Sequence, residues 1–149
     1  MGGDFYWLAV DEDQKLEQAV RQPRCAASGS LRIEVAEVGP GGRSLLRLPV
    51  LPGYLDSSKC TLRESVYAAL AHRSMLIAAR ACGKQVATMN LQVGYMRPVE
   101  VGQVVECRGI VIYAGQQVVV TGARMYVGDK PVATAGGMFS ITGSDCSRD

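Results

Sequence analysis

Only one stretch of this chain suits a long buried helix, and nearly everything after it alternates with the two-residue period of a strand. The helix is expected from about Lys59 to Cys82, with Asp56, Ser57 and Ser58 ahead of it as candidate N-caps. Gly83 stands where a helix C-terminus favours glycine. Small side chains recur along the segment: Ala68, Ala69, Ala71, Ser74, Ala78, Ala79 and Ala81. They let another layer approach closely, as a helix lying in the hollow of a curved sheet requires. An α+β architecture follows, with one antiparallel sheet wrapped around one long central helix.

The strands are legible on both sides of that helix. Leu31, Ile33, Val35 and Ala36 alternate with Arg32, Glu34 and Glu37. Gly39-Pro40-Gly41-Gly42 then turns the chain, and Ser44 to Val50 returns as the second arm of a hairpin. After Gly83 the positions Ala87, Met89, Leu91, Val93 and Tyr95 alternate with Thr88, Asn90, Gln92 and Gly94, until Arg97-Pro98 ends the run. Val104 to Tyr113, Gln117 to Val127 and Val132 to Ile141 complete the set, joined by short turns that predict an antiparallel meander. Ahead of all this, about Asp11 to Gln22 reads as a short amphipathic helix with Leu16, Ala19 and Val20 on one side. Gly143 to Asp149 is polar and expected to fray. One domain over 1–149, with its core at about 31–141, accounts for the length.

Composition removes several function classes. Net charge is +2 with scattered lysines and arginines, which does not suit a nucleic-acid surface. No run approaches the roughly 20 apolar residues of a membrane span, and the first residues lack the pattern of a secretory signal. Cys25, Cys60, Cys82, Cys107 and Cys146 form no CxxC pair, and an odd number of thiols reads as reduced cysteines in a cytoplasmic protein. His72 is the single histidine, so zinc sites and Ser-His or Cys-His catalysis have little to work with. A mixed apolar pattern on the outer side of the last strands predicts association into dimers or dimers of dimers.

Three segments in order carry a family resemblance: Thr61-Leu62-Arg63-Glu64-Ser65-Val66 at the helix start, Thr88 through Tyr95-Met96-Arg97-Pro98 in the following strand, and Val132 to Ile141 at the end. Together they resemble hotdog-fold acyl-CoA thioesterases of the branch related to phenylacetate degradation. The resemblance covers about Leu31 to Ile141. It departs at the His-Gly-Gly that commonly precedes the helix in that family, where this chain has Leu55-Asp56-Ser57.

The resemblance implies hydrolysis of an acyl-CoA or acyl-carrier-protein thioester, with no metal or redox cofactor and coenzyme A only as part of the substrate. Such a reaction needs an activated water or a carboxylate nucleophile, and donors aimed at the developing oxyanion. Glu64, about one turn into the expected helix, is the candidate base or nucleophile. The Asp56 backbone N–H occupies the place of the family's oxyanion donor, and the Ser57 hydroxyl could add a second. Ser65, Tyr67 and Ala68 follow on the helix as candidate substrate contacts. Thr88 and Asn90, expected together on one face of their strand, and Arg97, suited to a phosphate, complete the set. A non-catalytic module of the same fold that binds acyl-CoA or a related ligand is the alternative.

Overall fold

In the computed structural model, residues 31–56, 58 and 60–143 are described. The helix expected at 11–22, Ser57, and the tail beyond Gly143 lie outside these residues. Six strands form one antiparallel sheet: β1 (Glu34–Gly39), β2 (Arg43–Pro49), β3 (Gln85–Tyr95), β4 (Val104–Ala114), β5 (Val118–Val127) and β6 (Lys130–Gly143). Among the described residues a single α-helix, α1 (Glu64–Arg80), lies across it, preceded by a short 3-10 turn at Pro52–Tyr54.

The strand order is β1-β2-β4-β5-β6-β3. Only β4, β5 and β6 form the expected meander. Strand β3 skips its sequence neighbour and pairs with β6, while β2 takes the place beside β4. The eight residues between β3 and β4, Met96 to Gln103, make this jump possible. The hairpin of β1 and β2 forms as the sequence predicts, closed by the bond from the Gly42 N–H to the Gly39 carbonyl at 3.0 Å.

Helix α1 buries Val66, Tyr67, Leu70, Ala71, Ser74, Met75, Ile77, Ala78 and Ala79 against the sheet. Inward-facing Leu46, Leu48, Val105, Cys107, Val119, Met125 and Phe139 meet it, all fully buried. Burying each large apolar side chain among them is worth about 1.5–3 kcal/mol. The helix ends where Gly83, at φ 84°, donates its N–H to the Arg80 carbonyl.

The small residues act as the sequence predicts, at a specific point. Ser74 and Ser44 are buried and joined to each other, with the Ser44 hydroxyl donating to the Ser74 carbonyl at 2.8 Å. Gly109 of β4 lies beneath this pair. A Cβ on Gly109 would overlap the Ser74 hydroxyl and come within 2.6 Å of the Ser44 hydroxyl. Nearby, burial pushes the Cys107 thiol up to about 12, so it is an inert packing group.

The opposite face of the sheet exposes Ile110 and Ile112 beside charged side chains. There Glu106 meets Arg47 at 3.4 Å and Arg108 at 2.9 Å, and Arg108 lies over the Tyr126 ring. No described helix is long and apolar enough to cross a membrane.

Filling the contact beneath the helix should therefore be costly. Overpacking a tight site costs typically 1–3 kcal/mol, so Gly109→Ala is expected to lose about that much stability in denaturant unfolding. An unchanged midpoint would mean that the helix does not rest on this contact.

Candidate active site

The helix starts later than its sequence suggests. Leu55 and Leu62 form an isolated antiparallel bridge, and the Leu62 N–H donates to the Val99 carbonyl at 2.8 Å. Arg63 is still extended, at φ −67° and ψ 140°. These pairings hold the residues just before Glu64 in an extended path that local helix propensity does not override. Glu64 is consequently the first residue of α1 rather than one turn into it. A carboxylate there lies at the positive end of the helix dipole. Neither Asp56 nor Ser58 caps the helix: the N-cap is Arg63, which makes no side-chain cap.

Arg63 has a different task, one that the sequence reading missed. Its N–H donates to the Tyr54 carbonyl at 2.9 Å, and its guanidinium donates to the Gly53 and Leu55 carbonyls, each at 3.1 Å. It thereby ties the loop after the 3-10 turn to the helix start. An arginine fork facing a turn of bare carbonyls is the only signal, and sequence alone does not bring the two together.

Asp56 closes the same loop from its other side. Its N–H, the expected oxyanion donor, is not free: it donates to the Thr61 carbonyl at 2.8 Å. Its carboxylate accepts from the Ser58 hydroxyl at 2.6 Å, the Ser58 N–H at 3.1 Å and the Thr61 hydroxyl at 3.2 Å. The Ser58 hydroxyl in particular holds the Asp56 carboxyl below the usual carboxylate range. The negative side chain is thus spent on its own turn.

By contrast, the Glu64 and Ser65 N–H groups meet no backbone acceptor among the described residues. A helix leaves its first amides without internal partners.

A groove of about 490 Å³ opens at this point, walled by Asp56, Thr61, Leu62, Arg63, Glu64, Ser65, Tyr67, Tyr95, Met96, Arg97 and Pro98. Five of the residues singled out from sequence, Asp56, Glu64, Ser65, Tyr67 and Arg97, therefore share one cavity. Glu64 and Ser65 are exposed in it. Leu70 does not wall it, being fully buried in the core.

The other predicted contacts lie elsewhere. Ala68 is half-buried on the helix, outside the groove. Thr88 and Asn90 do not share a face, because β3 carries a bulge between them. An extra residue in one strand shifts the alternation beyond it. Thr88 consequently meets His72 of the helix, 2.9 Å from its Nε2. Asn90 instead accepts the Met138 N–H at 3.2 Å, tying the bulge to β6. His72 is half-buried and stacks on Phe139, as expected of a histidine packed in the core.

A larger groove, of about 1350 Å³, lies on the outer side of the sheet among Arg43, Arg108, Ile110, Ile112 and Arg124. It contains none of the candidate site residues. Size alone does not make it the reaction site. The smaller groove is walled by Glu64 and Ser65, whose N–H groups meet no backbone acceptor among the described residues.

One helix held in the hollow of an antiparallel sheet is the hotdog fold, and comparisons with solved structures agree. The chain is similar to the E. coli PaaI protein from the phenylacetic acid degradation operon, with a TM-score of 0.78 and 17% identity over 89% of this chain and 94% of that one. A conserved protein of Pseudomonas aeruginosa matches with a TM-score of 0.73 and 25% identity over 78% and 94%. A hypothetical thioesterase protein from Streptococcus pneumoniae TIGR4, solved with coenzyme A, matches with a TM-score of 0.73 and 14% identity over 76% and 88%. The Thioesterase superfamily profile matches residues 64–134. That segment runs from the first helix residue into β6. No curated protein matches the chain.

The Asp56 turn gives a pH test. A carboxyl whose folded pKa is depressed adds stability that is present above its unfolded value and lost as pH falls through the folded one. Asp56→Asn should therefore lower the thermal midpoint at pH 7, and the deficit should shrink as pH falls below about 3.8, the ordinary aspartate value. An equal deficit at pH 7 and pH 3 would contradict the assigned bonds.

Proposed function

We propose that this protein hydrolyses an acyl-CoA or acyl-carrier-protein thioester at the groove where α1 begins. The observation that carries this reading is that Glu64, Ser65 and Arg97 wall one cavity at the helix start. The match of residues 64–134 to the Thioesterase superfamily profile supports it. So does the coenzyme A in the similar Streptococcus pneumoniae structure.

In the reaction, the Glu64 carboxylate takes a proton from a water as that water attacks the thioester carbonyl carbon. The carbonyl oxygen becomes an oxyanion, and the Glu64 and Ser65 N–H groups at the positive end of the helix face it. The tetrahedral intermediate collapses, the carbon–sulfur bond breaks, and the thiolate leaves with the proton that Glu64 carried. The products are a carboxylic acid and a free thiol. If Glu64 attacks directly, the intermediate is a mixed anhydride that water then opens to the same products. Arg97, at the rim, meets a phosphate of the carrier. Moving the oxyanion role from Asp56 to the first two helix residues follows from the Asp56 N–H being already bonded. The Ser57 hydroxyl remains a candidate second donor.

A second copy of the chain completes the groove. Among the described residues, strand β3 is a sheet edge with an unpaired side. It exposes Met89 at its middle, and at its end Tyr95 and Met96, which wall the groove with the acid. A partner strand there would cover these side chains and narrow the mouth. Sedimentation should accordingly give a dimer or a dimer of dimers, whereas a monomer at micromolar concentration would contradict the shared groove.

The alternative is a non-catalytic module that binds acyl-CoA. The specific observation in its favour is the replaced His-Gly-Gly loop, whose Asp56 N–H is spent on Thr61. Thiol release from a panel of CoA thioesters separates the two readings. A positioned base contributes typically 10²–10⁴-fold, so Glu64→Ala should slow release by about that factor while the protein stays folded. Release at the wild-type rate would remove Glu64 from the chemistry, and binding without release would favour the module.

A further inference from the structure

Behind Glu64, two tyrosines bind the helix to the end of β3 in both directions. Tyr67, three residues along the helix, sends its hydroxyl to the Arg97 carbonyl beyond the strand, at 3.2 Å. Tyr95, at the end of the strand, sends its hydroxyl back to the Glu64 carbonyl at 3.3 Å. The two rings meet edge to face, with centroids 5.2 Å apart and an interplanar angle of 83°. Tyr67 is only 3% exposed, whereas Tyr95 is 46% exposed and forms the groove wall. Burial raises the pKa of both phenols, so both hydroxyls stay protonated and able to donate at neutral pH.

The pair fills the space between the helix start and the strand end. Beyond Tyr67, Leu70 and Ala71 are fully buried in the core. A group bonded to a carbonyl beside Glu64 has a short space before it meets the Tyr95 ring.

Taking the groove as the acyl-thioester site proposed above, we infer that the Tyr67–Tyr95 pair is a specificity-determining stop that restricts the substrate to short acyl chains. A long chain cannot thread between α1 and β3 without parting two anchored rings. Past the stop its added methylenes find no further pocket between α1 and β3 and contribute no binding.

The stop is tested with S-alkyl-CoA thioethers, which cannot be hydrolysed, from S-ethyl through S-decyl. Each methylene that becomes buried is worth about fourfold in affinity, from about 0.8 kcal/mol per group. Calorimetric titration of the wild-type protein should show that increment for the shortest members and then a plateau, with S-decyl no tighter than S-hexyl. Tyr95→Ala should extend the fourfold steps to longer chains and raise S-decyl affinity at least tenfold relative to S-butyl. Tyr95→Phe keeps the ring and should keep the plateau. Steps near fourfold through S-decyl in the wild type, or a plateau unmoved by Tyr95→Ala, would overturn the stop. Thiol release from butyryl-CoA, followed in parallel, tests hydrolysis separately: a plateau without release removes the hydrolase reading and leaves the stop standing. If no thioether binds, both fall.

Discussion

The structure depends on how closely one helix can approach one sheet. At Ser74, Ser44 and Gly109 two hydroxyls and a missing Cβ replace the bulk that usually separates these layers. That contact fixes α1 on β2 and β4, and the large apolar residues around it close the core. With the helix so held, its sides are occupied by the sheet, and its N-terminal end is the part left for chemistry. Buried polar groups are tolerated there because they satisfy one another.

What happens at that end is a matter of which backbone groups are already engaged. Arg63 and Asp56 consume the carbonyls and amides of the preceding loop. The extended path through Leu62 delivers Glu64 as the first helical residue, with its own and the following N–H unclaimed among the described residues. The loop is therefore a scaffold for the acid. The histidine and glycines that a related loop would carry are replaced by a turn that holds its shape through the Asp56 carboxylate. Glu64, Ser65 and Arg97 then wall one groove together with Tyr67 and Tyr95.

Much of this was legible in the sequence. The helix, the hairpin of β1 and β2, and the last three strands follow from period, turn residues and the run of small side chains. So did the grouping of Glu64, Ser65, Tyr67 and Arg97, because the resemblance placed them. The failures share one cause, long-range pairing. Leu62 is drawn into an extended bridge by Leu55 and Val99, so the helix begins late. Strand β3 takes its partner from β6, and its bulge separates Thr88 from Asn90. Asp56 read as a cap and a donor, yet its N–H found the Thr61 carbonyl across the turn. Nothing local in Arg63 announced that it would clamp carbonyls eight and ten residues earlier.

The proposed hydrolysis requires the reacting carbonyl to sit between the Glu64 carboxylate and the first amides of the helix. A crystal structure with an acyl-CoA analogue whose sulfur is replaced by methylene tests it most directly, since the ketone keeps the carbonyl and resists cleavage. The ketone oxygen is predicted about 2.7–3.1 Å from the Glu64 or Ser65 nitrogen, with the Glu64 carboxylate on the face of the carbonyl carbon that water would attack. A ketone bound in the outer groove, or one whose oxygen points away from the helix start, would contradict the account.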